Sequence, residues 1–404
     1  SSINAVVGMT GQRFIDNSSS AEARGFPSDA IGADNLSLGN PGSFMNSSDK
    51  NVNSLLSYLG RMNYLFDNKY LLTATMRVDG SSRFGINNKY GYFPSVAAGW
   101  KINEEYFLQD ISAISNLKLR ASWGQTGNQG IGNYQSVTTF GTGAKAVFDR
   151  LQVSSVAPSR IANPDLKWET SEQLNVGIDF GILKSRISGS IEWYSKTTKD
   201  MLLNLPIPRS TGFSTMLSNV GSMRNSGFEM MLSTENLSGA LKWNSNITIT
   251  TLNNKVLDLG GIENIVSGFT GQSSSVAITE AGQPVNSFYG YIIDGVWQIG
   301  DDFSAISSTV KPGDFKFRDM NGDKVINAND RVILGNSFPN LIWSFSNHLE
   351  FKNVQLYFFF EGVNGAKMLN NNLVETYFPP NLKRNRLAEP LLNRWTENNP
   401  SNIY

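Results

Sequence analysis

Apolar and polar residues alternate along many segments of this chain. In Tyr70–Asp79, apolar side chains occupy every second position from Tyr70 to Val78, and residues such as Thr73 and Arg77 stand between them. A period of two predicts a β-strand with one apolar and one polar face. We predict about ten strands, the others being Ser54–Phe66, Phe93–Ile102, Leu117–Trp123, Gln173–Phe180, Ser185–Tyr194, Phe228–Ser233, Lys242–Thr251, Leu341–Glu350 and Val354–Glu361.

The predicted connections are alternately short and long, which favours an antiparallel transmembrane β-barrel with short periplasmic turns and long extracellular loops. A soluble β-sandwich also alternates, but its connections would not divide so regularly by length. We expect residues 1–53 to form an extracellular loop region, with at most the end of a strand at Ile3–Met9. Residues 54–361 carry the strands, with a long insertion at 252–340, and residues 362–404 form a loop leading to missing strands.

Aromatic residues beside the short turns all fall on the apolar face by strand parity. A membrane-interface girdle has this arrangement, whereas a soluble core would scatter aromatic residues along the strands. The apolar face is therefore predicted to meet lipid, through the girdle residues Tyr64, Phe66, Tyr70, Trp100, Phe180, Trp243 and Phe351.

The polar face is then predicted to line an aqueous lumen. Its charged residues either line a solute path, contact a plug, or form ion pairs in a solvated wall, and we favour the solvated wall for any single residue. These lumen-facing residues are Arg61, Arg77, Asp79, Lys118, Arg120, Asp179, Arg186 and Glu192.

Composition narrows the function classes. Lys plus Arg and Asp plus Glu each number 34, so the net charge is zero and a nucleic-acid partner is not indicated. The chain has no Cys and a single His, His348, which excludes a disulfide framework and a multi-histidine metal site. The N-terminal residues SSINAVVGMTG lack the pattern of a signal peptide, so we expect an internal fragment or a processed product.

Residues 319–330 have the oxygen spacing of a twelve-residue calcium loop. Lys324 replaces the usual Gly at position six, and the closing Asp330 is shorter than the usual Glu. The alternative is a polar turn without an ion. Bound calcium would be structural, with the candidate ligands Asp319, Asn321, Asp323, Val325, Asn327 and Asp330.

Three weaker signals complete the candidate chemistry. Residues 80–85, GSSRFG, resemble a phosphate-binding loop only superficially, because no helix follows them. Asp294 and Glu280 could form a glycosidase pair, but the sequence does not give their separation. Loop aromatics either stack on sugar rings or pack the loops, namely Phe213, Phe269, Phe288, Tyr289, Tyr291 and Trp297.

Long stretches of the chain also resemble a known family. They are YLLTATMRVDGSSRFG, YGYFPSVAAGW, LKLRASWGQTGNQGIGNY, NPDLKWETSEQLNVGIDFG, NVGSMRNSGFEMMLS and PGDFKFRDMNGDKVINANDRVILGNSFPN. In this order, from about Leu55 to about Gly362, they resemble the SusC/RagA family of TonB-dependent outer-membrane transporters of Bacteroidota.

The resemblance implies a barrel of about 22 strands with an N-terminal plug and a SusD-like lipoprotein lid. It implies import of oligosaccharides or peptides across the outer membrane, powered through TonB, with no enzymatic activity. The chain departs from the family pattern, since no plug or TonB box precedes Ser54 and no further strands follow Gly362. We therefore expect about half of a barrel, with TonB contacted by the missing N-terminal part. The alternative is a soluble extracellular β-rich glycan-binding module or glycosidase.

Overall fold

The computed structural model describes residues 1–404 except residues 29, 31–33, 109, 271–274, 307–308, 378–384 and 403–404. Strands dominate the described chain. Their bounds are β1 Ser2–Glu22, β2 Met45–Phe66, β3 Tyr70–Ser81, β4 Tyr90–Lys101, β5 Ile114–Asn128, β6 Phe140–Phe148, β7 Leu151–Pro158, β8 Glu169–Ile182, β9 Ile187–Lys199, β10 Leu202–Pro206, β11 Thr215–Asn219, β12 Ser222–Ser238, β13 Leu241–Thr251, β14 Asn253–Asp258, β15 Asn264–Ser267, β16 Ala277–Glu280, β17 Ser287–Gly290, β18 Ile293–Val296, β19 Phe315–Phe317, β20 Val332–Gly335, β21 Leu341–Phe351 and β22 Val354–Asn364.

Helices are few and short. Two α-helices lie near the C-terminus, α1 Asn371–Tyr377 and α2 Ala388–Asn393. Single 3₁₀ turns occur at Leu36–Leu38, Pro41–Ser43, Ile102–Glu104, Arg209–Thr211, Phe303–Ala305 and Ala328–Asp330. In the described residues no helix is long and apolar enough to cross a membrane.

The largest sheet has twelve strands in the order β1-β2-β3-β4-β5-β8-β9-β12-β13-β21-β22, with β14 also paired to β12. Strands next to each other in this order follow one another along the chain, apart from small strands within the long connections. β13 and β14 pair with successive parts of β12, at Glu229–Ser238 and Ser222–Ser226. The predicted all-β, antiparallel fold is thereby confirmed.

The connections between consecutive strands of the large sheet alternate between short and long as predicted, with one exception. Residues 102–113, on the side of the short turns, form a longer connection than residues 82–89 on the opposite side. Residues 67–69, 183–186, 239–240 and 352–353 are tight turns, and residues 102–113 form a longer one. Asp67 and Asn68 have φ values of 48° and 53°, the left-handed backbone that tight hairpin turns favour. The intervening connections are residues 23–44, 82–89, 129–168, 200–221 and 252–340.

The loop expected over residues 1–53 is corrected by the structure. β1 runs from Ser2 to Glu22 and pairs with β2 in continuous register, from Ser2 opposite Leu65 to Glu22 opposite Met45. The second half of β1 is mostly polar, with the run DNSSS at residues 16–20. A period-two search for apolar residues cannot detect such a strand.

Two further regions are more ordered than the sequence suggested. The insertion at 252–340 contains a four-stranded sheet, β15-β16-β17-β20, and a pair, β18-β19. Residues 129–168 carry the β6-β7 hairpin, and α1 and α2 lie in the tail after Gly362. These strands are three to nine residues long, too short for a periodic pattern to stand out.

The chain divides into two compact units. The first comprises Ser1–Trp100, Ala121–Gln173 and Thr198–Val220, and the second comprises Lys101–Arg120, Leu174–Thr197 and Gly221–Tyr404. The first unit has a core of five buried residues described below. Buried apolar side chains of the second unit lie in its long connection, and include Val256, Leu259, Ala277, Ile278, Val296, Trp297 and Ile306.

Candidate functional site

In the first unit, the predicted lumen face carries an ion pair with a hydroxyl partner. The Arg77 Nε donates to both carboxylate oxygens of Asp79, at 2.8 and 2.7 Å. Its Nη2 donates to the Ser57 Oγ at 3.2 Å, and Ser57 stands directly opposite Asp79 on β2 and β3. Arg61 lies on the same face, opposite Thr75. Asp79 is buried, so its charge is compensated within the wall.

The second unit brings four more of the predicted lumen residues together. The guanidinium of Arg120 lies 3.1 Å from an oxygen of Asp179 and 2.6 Å from an oxygen of Glu192. The ammonium of Lys118 lies 3.7 Å from the other oxygen of Asp179. A side chain at Gly177 would crowd the group, because its Cβ would lie 3.0 Å from the Arg120 Cζ. Two cations and two carboxylates leave the cluster with no net charge.

Arg186 does not join that cluster. Its Nη2 donates to the backbone carbonyls of Glu235 and Asn236, at 3.1 and 2.8 Å. These carbonyls lie beside an irregularity in the β12-β13 register, between Glu235 and Leu237. Arg186 therefore supplies hydrogen bonds to a place where the strand ladder is interrupted, a role that strand parity alone did not predict.

The predicted girdle residues lie on common faces within each unit. Phe66 stands opposite Tyr70, and Tyr70 opposite Trp100. The ring centroids of Phe66 and Tyr70 are 6.2 Å apart, and those of Tyr64 and Phe66 are 6.3 Å apart. In the second unit, Phe351 stands opposite Leu241, and Leu241 precedes Trp243 by two residues on the same strand face. The Phe180 ring lies so close to Gly189 that a Cβ there would touch it. That this face meets lipid stays a prediction.

A buried aromatic cluster in the first unit was not predicted. The outer-loop core consists of Phe84, Phe93, Ile131, Leu166 and Trp168. Trp168 contacts Phe84 and Phe93, at centroid distances of 5.1 and 5.5 Å, and donates from its Nε1 to the Lys89 carbonyl at 3.1 Å. The cluster ties residues 82–89 and 129–168 to β4. Its only signal in the sequence was a few large apolar residues inside polar loops.

Loop aromatics of the long insertion mostly pack within it. Trp297 is buried, its ring lies 5.6 Å from that of Phe303, and the Lys316 ammonium lies 4.6 Å above it. The Arg331 guanidinium lies 4.3 Å from the Tyr289 ring. Phe269, by contrast, is 78% exposed. Stacking on a sugar ring is thus sterically open to Phe269 and closed to Trp297.

Asp330 closes the predicted calcium loop by itself. It is buried, and its two oxygens accept the backbone N–H groups of Met320 and Asn327, at 2.9 and 2.8 Å. These hydrogen bonds, that of Asn327 first and that of Met320 second, lower the pKa of the Asp330 carboxyl. Its carboxylate therefore joins the start of the loop to its end without an intervening ion.

The remaining loop residues make local turns. Asp319 accepts backbone N–H groups from Gly322 and Lys324, both at 2.7 Å, and Asp323 accepts that of Val325 at 2.8 Å. Lys324 has φ of 65°, so it adopts the left-handed backbone that the position requires despite not being Gly. Among the described residues, no group of three or more acidic, His or Cys side chains is arranged to hold a metal ion. Calcium here stays a prediction.

Known proteins resemble nearly the whole chain. A family model described as TonB dependent receptor-like, beta-barrel, matches residues 4–367. TonB-dependent receptor P26 of Formosa agariphila is 36% identical over an alignment of 405 positions, which covers 99% of this chain and 40% of that protein. TonB-dependent receptor SusC of Bacteroides thetaiotaomicron is 35% identical over an alignment of 319 positions, which covers 76% of this chain and 31% of that protein.

A solved structure agrees with these relatives. The RagAB peptide transporter matches with a TM-score of 0.81 and 28% identity, over 99% of this chain and 43% of the transporter chain. The chain thus spans about two fifths of the length of the relatives it matches most fully.

Proposed function

This chain belongs to the TonB-dependent receptor β-barrel family, and from that membership we propose that it forms part of a SusC-like outer-membrane importer. The observation that carries the proposal is the family match over residues 4–367. The strands in this range are joined mainly by alternating short turns and long loops. In a bilayer, β-strands can pair all of their backbone N–H and C=O groups only when the sheet closes into a barrel. The strands of such a barrel alternate between lipid-facing and lumen-facing residues. The chain is accordingly proposed to lie in the outer membrane.

The proposed cargo is an oligosaccharide or a peptide, taken up together with a SusD-like lipoprotein and with energy from TonB. Support for the peptide class comes from the RagAB neighbour, which is described as a peptide transporter. The relatives are receptors and a transporter, so we propose no covalent chemistry for this chain. The compensated clusters at Asp79 and Arg120 suit a hydrated wall, because each leaves no net charge to retain a solute.

Uptake by living cells tests this proposal. We would delete the gene for the full-length protein and follow the uptake of fluorescent oligosaccharides and fluorescent peptides, each with and without TonB. Loss of one cargo class in both the receptor deletion and the TonB deletion is expected. Unchanged uptake of both classes would overturn the proposed import function. Co-purification of a lipoprotein with the intact receptor from outer membranes tests the proposed partner.

We also propose that external calcium binds to the loop at residues 319–330 and stabilises it. Support comes from its oxygen spacing and from the left-handed Lys324, and the ion would only reinforce a loop that Asp330 already closes. Calorimetry on the intact protein should detect binding below millimolar calcium, and a Lys324→Gly variant should bind more tightly because Gly adopts this backbone without strain. The absence of binding at millimolar calcium would remove the proposal.

A further inference from the structure

A cationic cleft lies where β1–β4 approach the loops at residues 82–89 and 129–168. Two adjoining hollows, with volumes of about 420 and 400 Å³, share Arg13, Ser54 and Ser82 in their walls. The first also includes Lys89 and Tyr90, and the second Arg83 and Tyr134. All of these residues belong to the first compact unit. We call this feature the cation cleft, and its basic residues are Arg13, Arg83 and Lys89.

Among the residues that the structure describes, no carboxylate lines the cation cleft. Neither Arg13, Arg83 nor Lys89 takes part in an ion pair with any described residue. This differs from Arg77, Lys118 and Arg120, each of which lies beside a carboxylate. Arg13 lines both hollows, Lys89 the first and Arg83 the second. Each hollow therefore has two cations that pair with no carboxylate of the described residues, which favours an anionic occupant.

The cleft also presents oriented hydrogen-bond donors. Arg83 is held in place, because its Nε donates to the Asn133 Oδ1 at 2.9 Å and its Nη1 to the Gln129 carbonyl at 3.1 Å. The Ser82 Oγ accepts the Ser54 N–H at 2.9 Å, which leaves the hydroxyl hydrogen of Ser82 to donate. A fixed guanidinium beside hydroxyl groups is the donor set that phosphate oxygens prefer.

Strand register places part of the cleft on the face predicted to meet lipid. Arg13 stands opposite Ser54, and one row further along the strands Gly11, Leu56, Gly80 and Tyr90 stand opposite one another in turn. This row has the same parity as the girdle residues Tyr64 and Tyr70. The next row on that face consists of the apolar side chains Met9, Tyr58, Val78 and Tyr92.

Small residues make room in this wall. A Cβ built at Gly11 would meet no atom within 4 Å, whereas one built at Gly80 would overlap the Tyr90 ring, which lies across that position. Tyr92 and Tyr58 are 62% and 44% exposed. An apolar surface with the cation Arg13 in the next row of the same face matches an amphiphile that carries a negative head group.

We propose that the cation cleft binds the phosphate group of an outer-leaflet lipid, whose acyl chains lie on the Tyr58–Tyr92 surface. Arg13 and Lys89 contact the phosphate oxygens, the hydroxyl of Ser82 donates to them, and Arg83 fixes the inner side of the site. The site goes beyond solute import and rests only on the proposed membrane setting. It accounts for the GSSRFG segment, which contributes Gly80, Ser81, Ser82 and Arg83 to the two hollows.

Native mass spectrometry of the intact full-length protein tests the lipid site. Diphosphorylated lipid A would be titrated against the protein in detergent, alongside a lipid with the same acyl chains and no phosphate, and alongside inorganic phosphate. An Arg13→Gln/Lys89→Gln variant is expected to bind lipid A at least about tenfold more weakly. A Lys50→Gln/Arg209→Gln variant removes the same charge at exposed positions outside the cleft and should bind as the parent does.

Three results would overturn the lipid site. They are an equal loss of binding in both double variants, equal binding of the phosphate-free lipid, or binding of inorganic phosphate as tight as that of lipid A. Because both double variants leave the lumen wall untouched, solute uptake should persist in each. Failure of lipid binding with uptake intact would therefore count against the lipid site alone, and not against the import function.

Discussion

At the residue scale, the charged side chains of the predicted lumen face compensate one another. Arg120 contacts two carboxylates, Asp179 and Glu192, and the side chain of Arg120 is 31% exposed. The Glu192 side chain is only 16% exposed, so water screens it incompletely. Removal of Arg120 would leave two carboxylates facing each other with Lys118 as their remaining cation.

We therefore expect Arg120→Gln to lower the free energy of unfolding by about 1–2 kcal/mol, less than for a fully buried pair because solvent screens the group in part. Denaturant unfolding of the intact protein in detergent measures this. Arg209→Gln, at an exposed position, is the matched control and should change little. Adding Glu192→Gln to Arg120→Gln should restore part of the loss, and no recovery would contradict an electrostatic origin.

Asp330 gives a second prediction at this scale. Its lowered carboxyl pKa means that its contribution to the loop is complete above the ordinary aspartate value of about 3.9 and is lost as pH falls through the folded-state value. We expect backbone amides of residues 319–330 to exchange faster with deuterium in that acidic range, after correction for intrinsic rates. Protection that stays constant after the Asp330 carboxyl has become protonated would contradict the role of the ionised carboxylate.

Asp330→Asn should have the same effect at neutral pH, at least about a tenfold loss of protection. The amide has one acceptor oxygen, whereas the carboxylate accepts from both Met320 and Asn327. Asp323→Asn is the control, because Asp323 accepts a single backbone N–H, from Val325, and the amide oxygen can replace it. Equal effects of the two substitutions would show that the second acceptor is unimportant.

At the element scale, the strands with one apolar face were predictable, and the ordered loops were not. Tyr70–Asp79 was predicted within two residues of β3, Tyr70–Ser81. The prediction succeeded because apolar and polar side chains alternate along this strand and point to its two different faces. β1 continues to Glu22 through mostly polar residues, so beyond Ile3–Met9 it is its pairing with β2 that reveals the strand. The outer-loop core depends on contacts between residues as far apart as Phe84 and Trp168, which local patterns do not encode.

The approach of Gly85 to residue 164 tests how strongly that core depends on loop packing. A Cβ at Gly85 would overlap the carbonyl oxygen of Pro164, so Gly85→Ala must push apart the two loops that hold Phe84 and Leu166. We expect a cost of about 1–3 kcal/mol, the usual range for overpacking, and faster proteolysis of residues 82–89 and 160–168. Gly60→Ala on β2 is the control, since its Cβ would meet nothing within 4 Å. Equal proteolysis of both variants would contradict the close packing.

At the scale of the whole molecule, the described sheet begins with β1 and ends with β22, and each pairs with one neighbour in it. Both strands are almost entirely exposed. Their exposed residues include large apolar side chains such as Val7, at 89%, and Val363, at 62%. In water, unpaired strand edges associate with other chains. In lipid, each backbone N–H or C=O group without a hydrogen-bond partner costs roughly several kcal/mol. The exposed apolar side chains and the two strand edges therefore favour association in water.

We accordingly expect the 404-residue chain, expressed alone, to aggregate without detergent, because its free edges and apolar face are exposed together. Size-exclusion chromatography with light scattering measures this, with the full-length receptor in detergent as the control that should be monodisperse. Polar substitutions on β1 alone, such as Val7→Lys, should reduce but not abolish association, since β22 still offers its edge. A monomeric, soluble 404-residue chain in detergent-free buffer would contradict the membrane setting on which both the import function and the lipid site depend.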